Sequence, residues 1–130
     1  MNLKQVARVP YTSLIISFVM MLLFAGCSPL GKGWSAFEKD DFEGAKKEWA
    51  QAEEAKDLHL IQKANAAMRM VKYANAAAKT KNKHRKTQNF IYVLNQNKWP
   101  KDKGWADRSP LLKSILSEAT ATVEPERTRL

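Results

Sequence analysis

The chain contains a single cysteine, Cys27, which stands three residues behind an apolar stretch of 11 residues at positions 14–24. One thiol cannot form an intrachain disulfide, so the folded state has to be stabilised by the burial of apolar side chains. The apolar stretch is too short to cross about 30 Å of hydrocarbon as a helix. The sequence therefore predicts a short leading segment followed by a domain without covalent cross-links.

The first 26 residues have the three zones of a secretory signal. Two basic residues precede the apolar stretch, and small residues follow it where a signal peptidase cuts. The basic residues are Lys4 and Arg8, and the small residues are Ala25 and Gly26. A plain secretory signal that leaves Cys27 as a free thiol, and an uncleaved signal anchor, are the two alternatives for this pattern.

The run Leu23-Phe24-Ala25-Gly26-Cys27 resembles the lipobox of bacterial lipoproteins. This resemblance implies that residues 1–26 are a lipoprotein signal peptide that is cleaved, and that Cys27 becomes the N-terminus with covalent lipid, such as palmitate, attached. Ser28 follows the cysteine in place of the aspartate that retains such proteins in the inner membrane. The implied location is the cell envelope, lipid-anchored in the outer membrane and facing the periplasm.

Cleavage would leave 104 of the 130 residues, with 20 basic and 13 acidic side chains. This length corresponds to one domain. Apolar residues recur at helical spacing, and no run of alternating Val, Ile and Thr predicts a strand. We therefore expect an all-α domain of about five helices over residues 27–122, and a disordered tail at 123–130 that lacks an apolar period.

The predicted helices follow from these apolar stripes and from capping residues. Asp40 and Glu43 have the spacing of a capping box for the second helix, and Asp57 precedes the third. Residues 80–88 are expected to be a loop or a solvated helical extension. The five helices are expected at 29–39, at 42–56, at about 60–78, at 87–96 and from Pro110 onward.

Residues 33–57 resemble one tetratricopeptide repeat, a pair of antiparallel helices that cross at small residues. The resemblance implies a helical hairpin at the start of the domain, and an ordinary hairpin with convergent packing is the alternative. A single repeat cannot bury its own face, so the later helices must complete the core. The residues that match the packing positions of the repeat are Gly33, Phe37, Phe42, Ala45, Trp49 and Ala52.

The sequence shows no constellation that carries catalysis. Neither His59 nor His84 has a cysteine or acidic partner at metal-ligand spacing, and His59 is expected on the surface at a helix start. We therefore expect no enzyme activity, no metal, and no cofactor besides the lipid on Cys27.

Two groups of residues are candidates for partner binding. Trp99 and Trp105 could plug the core, anchor the domain at a membrane interface or form a partner hot spot. A basic cluster could be a solvated helix end or a patch for anionic lipid or polymer. The secretory signal argues against nucleic acid as its partner. The basic cluster consists of Lys79, Lys81, Lys83, Arg85 and Lys86.

The leading hypothesis is a lipid-anchored, non-catalytic adaptor that binds a protein or peptide partner of an envelope assembly. Its groove is expected between the first helix and the alanine-rich third helix. One alternative is binding of an anionic envelope polymer or of lipid headgroups through residues 79–86. Another is an exclusion or immunity lipoprotein of a mobile element. No pattern in the sequence indicates an oligomeric state.

Overall fold

A computed structural model describes residues 28–127, and all regular elements in this range are helical. The all-α prediction is therefore confirmed for these residues, while the predicted signal segment and the lipobox at Cys27 lie outside them. Two 3₁₀ turns, Pro100–Asp102 and Ala106–Arg108, lie between the last two helices. The α-helices are α1 (Pro29–Glu38), α2 (Phe42–Trp49), α3 (Glu54–Asp57), α4 (Leu60–Lys79), α5 (Lys83–Asn95) and α6 (Pro110–Arg127).

Helix α4 is central, since it packs against α2, α5 and α6, while α1 packs against α2. Contact on several sides explains why its buried face is wider than the predicted stripe. Lys63 and Met70 are buried together with several alanines of this helix, whereas Ala78, at the end of the predicted range 60–78, is exposed. The small side chains of α4 allow its neighbours to approach closely.

The turn between α1 and α2 differs from the predicted capping box. Asp41, and not Asp40, caps α2, because its carboxylate accepts a hydrogen bond from the Gly44 amide at 2.9 Å. Asp40 adopts a left-handed backbone conformation with φ of 66°, which aspartate tolerates better than most residues. Its Oδ1 accepts hydrogen bonds from the Ser109 hydroxyl at 2.6 Å and the Leu111 amide at 3.3 Å. Asp40 therefore ties this turn to the start of α6.

The predicted second helix, 42–56, is two helices in the structure. Helix α2 ends at Trp49, and α3 covers only Glu54–Asp57. Trp49 and Ala55 are both buried, yet six helical residues would place them about 120° apart around a continuous helix. The break lets both side chains face the core. His59 then adopts a left-handed conformation with φ of 54°, so α4 begins at Leu60 without a side-chain cap from Asp57.

Two further boundaries are corrected. Helix α5 begins at Lys83 and not at Thr87, because the Asn82 side chain accepts a hydrogen bond from the Arg85 amide at 3.1 Å and caps the helix. Helix α6 continues to Arg127, so residues 123–127 are helical and not part of a disordered tail. Val123 is only 1% exposed, because it extends the buried stripe of α6 by one more turn.

An aromatic cluster forms the core between the first hairpin and the loop before α6. The Phe37 ring is 5.1 Å from Phe42, 5.7 Å from Trp49 and 6.0 Å from Trp105, measured between ring centroids. Each such pair contributes about 0.5–1.5 kcal/mol beyond simple area burial. Trp105 is only 1% exposed and therefore plugs the core, which is one of the three roles considered for it.

The residues of the predicted repeat packing are buried, apart from half-buried Ala52. Gly33 makes room for the indole of Trp49, which would overlap a Cβ atom at this position. The indole Nε1 donates a hydrogen bond to the Leu30 carbonyl at 3.2 Å. The closest approach at Gly33 is therefore made by Trp49 and not by Ala45, the partner that the repeat resemblance implies. A relationship to the tetratricopeptide repeats stays a prediction.

Candidate functional site

A groove of about 450 Å³ opens between the α3–α4 connection and the first 3₁₀ turn. Most of its accessible lining is apolar. Its lining residues differ from the location between the first helix and the alanine-rich helix that the sequence predicts for the groove. The groove is lined by Asp57, Leu58, His59, Lys63, Trp99, Pro100, Lys101 and Asp102.

One wall of the groove is formed by the residues that connect α3 to α4. Leu58 is 47% exposed, a high value for a large apolar side chain. The left-handed conformation of His59 turns the chain directly after it, and the next residue, Leu60, is buried at 1% exposure. His59 itself is exposed at the helix start, as predicted. The backbone turn therefore separates a core leucine from a leucine that faces the groove.

The floor of the groove contains a buried lysine. Lys63 is 3% exposed, and its Nζ lies 2.6 Å from Oδ2 of Asp102 and 5.7 Å from the centre of the Trp99 ring. A buried ammonium group requires such partners, because its desolvation is otherwise unfavourable. The Asp102 side chain is 53% exposed, so solvent screens the pair and limits its contribution to stability. Its main effect is to hold the first 3₁₀ turn against α4.

The opposite wall is Trp99, which is partly buried and lines the groove. It makes an edge-to-face contact with Trp105 at 5.3 Å between centroids. Trp105 in turn donates a hydrogen bond from Nε1 to Asn97 Oδ1 at 2.8 Å. The two tryptophans predicted to bind a partner therefore separate: Trp105 lies in the core, and only Trp99 reaches the surface.

The loop that presents Trp99 is fixed at its other end by Arg108. The guanidinium carbon of Arg108 lies 3.7 Å from the centre of the Trp34 ring, and Nη2 lies 2.7 Å from Glu38 Oε1. This stacking and ion pairing joins the second 3₁₀ turn to α1. The groove wall is thus supported from both α4 and α1.

The basic cluster of the sequence is a separate surface at the far end of α4. Lys79 is the last residue of α4, Lys81 lies in the connection, and the other three members belong to the first turn of α5. All are exposed except the partly buried Lys86. We call residues 79–86 the basic tip. From Lys63 to Lys79 the helix rises about 24 Å, so the basic tip and the groove are distinct surfaces.

A second, shallower depression of about 330 Å³ lies between α1 and α2 and is polar. Within residues 28–127, no three His, Cys, Asp or Glu side chains are close enough together to hold a metal ion. Over the same range, no helix is both long enough and apolar enough to cross a membrane.

Comparison of the chain with protein-family models, with curated proteins and with solved structures finds no match in any of the three.

Proposed function

We propose that this chain is a lipid-anchored, non-catalytic helical adaptor that binds a segment of an envelope protein in the groove. The observation that carries the proposal is that exposed Leu58 and partly buried Trp99 line the same largely apolar cleft. Contiguous exposed apolar surface marks binding sites more often than scattered apolar side chains do. Tryptophan is also enriched among the residues that dominate binding free energy at interfaces.

The size and rigidity of the groove favour a short peptide segment as its ligand. A volume of about 450 Å³ accommodates a few side chains and lies in the range of small-ligand pockets. The wall that carries Trp99 is held before any partner binds, by the Lys63–Asp102 pair and by the packing of Trp99 on Trp105. A preformed site loses little conformational entropy on binding, which increases affinity.

The envelope location rests on the lipobox resemblance at Cys27. Helix α1 begins at Pro29, only two residues later, so a lipid on Cys27 would hold the helical domain at the membrane surface. The test is the intact mass of the protein from its native membrane fraction, beside that of a Cys27→Ala variant. We expect a mature species that starts at Cys27 and carries acyl mass, and we expect this species to be missing from the variant. A chain with residues 1–26 still attached would overturn the anchor.

Partner binding is tested with a photo-crosslinking amino acid in place of Lys101, which is exposed at the rim of the groove. The adaptor function predicts one dominant adduct of defined mass in membranes. Leu58→Asp should abolish that adduct, because a carboxylate in the apolar cleft would remain desolvated against the partner. Leu111→Asp is the matched control, since Leu111 is similarly exposed at 38% but does not line the groove.

Three results would count against the adaptor function. The first is no adduct at all, and the second is a ladder of adducts without a dominant species. The third is an adduct that survives Leu58→Asp, which would mean that the crosslinker reports proximity and not occupation of the groove. Circular dichroism of both variants checks that neither substitution unfolds the helices.

A further inference from the structure

Acidic and basic residues are segregated along this chain. From residue 58 to residue 101 there are ten Lys and Arg residues and not one Asp or Glu. This range contains all of α4 and α5, so the α4–α5 hairpin has no carboxylate of its own. Five of the ten cations lie in the basic tip, where the two helices are joined.

The remainder of the fold neutralises the basic tip only in part. Helix α6 brings Glu126 close, and its Oε1 lies 3.4 Å from Lys83 Nζ. The Lys83 side chain is 74% exposed, so the pair is strongly screened. Glu124 is also nearby in sequence, but it lies 4.0 Å from Arg127, which adds another cation to this end. Six cations therefore face two carboxylates at this end of the molecule.

The basic tip is also unfavourably placed with respect to α5. The N-terminus of a helix carries a partial positive charge, which favours acidic side chains in the first turn. The first turn of α5 contains no acidic residue, and it holds Lys83, Arg85 and Lys86. Folding places these charges against the helix dipole, and anions in the surroundings would relieve the repulsion.

The chemistry of the basic tip indicates the kind of anion that it binds. The large apolar side chains exposed among residues 28–127 are Leu58, Tyr92 and Leu111, and none of these belongs to the basic tip. A specific protein interface normally has an aromatic or aliphatic anchor at its centre. Long, flexible and exposed lysines without such an anchor suit an extended surface of many negative charges.

We propose that the basic tip binds the anionic headgroups of a phospholipid bilayer. The contact is electrostatic, with no side chain inserted among the acyl chains, and it does not involve the groove. Each lysine or arginine close to an anionic bilayer strengthens binding by about fivefold, which corresponds to about 1 kcal/mol. Salt weakens the contact, because the charges stay in water.

The test measures partition of the full chain into two kinds of vesicle, phosphatidylcholine alone and phosphatidylcholine mixed with phosphatidylglycerol. The ratio of the two partition coefficients isolates the electrostatic contribution, because the apolar stretch at 14–24 contributes equally to both. The test variant changes four cations of the basic tip and leaves Lys83 with its partner Glu126. Its substitutions are Lys79→Gln, Lys81→Gln, Arg85→Gln and Lys86→Gln.

A control variant with the same net charge separates local from global electrostatics. It changes four exposed lysines outside the basic tip: Lys47→Gln, Lys56→Gln, Lys98→Gln and Lys103→Gln. We expect the ratio to fall about tenfold or more in the test variant, and less than about twofold in the control. Equal losses in the two variants would overturn the proposal, since net charge alone would then explain binding. Lys81 lies outside the helices, so Lys81→Gln alone replaces the fourfold variant if that variant does not fold. It should lower the ratio severalfold.

A third measurement distinguishes lipid from nucleic acid, which is the other extended polyanion. Both variants are titrated against a fluorescent DNA duplex in the same buffer. The lipid assignment would be overturned in favour of nucleic acid if the test variant lost binding of the duplex but kept the vesicle ratio of the unsubstituted protein. Leu58→Asp, which disrupts the groove, should leave the vesicle ratio unchanged. Failure of the adaptor function and failure of the lipid contact are therefore distinguishable.

Discussion

Replacement of Gly33 by alanine sets two physical effects of opposite sign against each other. Gly33 lies inside α1, and glycine in a helix interior is less favourable than alanine by about 1 kcal/mol. Helix propensity alone therefore predicts that Gly33→Ala stabilises the protein. The structure predicts the opposite, because the new methyl group would overlap the indole of Trp49.

The cost of that overlap follows from what holds Trp49 in place. Its side chain is fully buried, its ring packs 5.0 Å from Trp34, and its Nε1 donates a hydrogen bond to the Leu30 carbonyl. Displacement of the ring forfeits a hydrogen bond worth about 1 kcal/mol. Overpacking adds about 1–3 kcal/mol. After the gain in propensity is subtracted, Gly33→Ala should destabilise the fold by about 2 kcal/mol.

The assay is thermal unfolding followed by circular dichroism. For a domain of this size, about 2 kcal/mol corresponds to a fall in Tm of about 10 °C. Gly104→Ala is the control, because no atom beyond the two adjacent residues lies within 4 Å of a Cβ at that position. Its free energy of unfolding should change by no more than about 0.5 kcal/mol. In a Trp49→Phe background the Gly33→Ala change should cost less, which a double-mutant cycle would detect. A Tm that stays constant or rises in Gly33→Ala would refute the close contact between α1 and the Trp49 indole.

Three further predictions concern urea unfolding of single variants. Asp102→Ala should lower the free energy of unfolding by about 2 kcal/mol, because it leaves the buried Lys63 ammonium without its carboxylate. Lys63→Met should change that free energy by less than about 1 kcal/mol. Asp40→Ala should lower the free energy of unfolding by about 2 kcal/mol, because alanine cannot cap α6 and tolerates the left-handed backbone conformation less well. Asp40→Asn should lower it by less than half of that amount. Val123→Ala should cost about 1.5 kcal/mol because the valine is buried, while a disordered tail would give no change.

The parts of the fold that could be predicted from the sequence depend on local rules. The pair Ser28-Pro29 is typical of a helix start, and α1 begins there, since the Ser28 hydroxyl accepts a hydrogen bond from the Gly31 amide at 3.1 Å. Aromatic residues at helical spacing also identified Phe37 and Trp49 as core residues, and both are fully buried. Helix caps and apolar helix faces are defined by residues only a few positions apart, so they can be recognised in the sequence.

The parts that could not be predicted depend on contacts between distant segments. Asp40 has the spacing of a local cap, but its hydrogen bonds go to residues about 70 positions later, which no local rule anticipates. Lys63 occurs at a helical step from Leu60 and Met70, and a lysine at such a position is usually solvated. It is buried because Asp102 and Trp99 come from a loop 36–39 residues away. That loop also forms one wall of the groove, so the groove itself could not be predicted.

Helix α4 connects the two proposed surfaces and keeps them apart. Its first turns carry Lys63 on the floor of the groove, and its last residue, Lys79, begins the basic tip about 24 Å away along the axis. At that separation an exposed charge at one end is screened from the other at physiological salt, where the Debye length is about 8 Å. Charge changes at the basic tip should therefore leave peptide binding in the groove unaltered. Substitutions in the two surfaces should have additive effects, because they share no contacts.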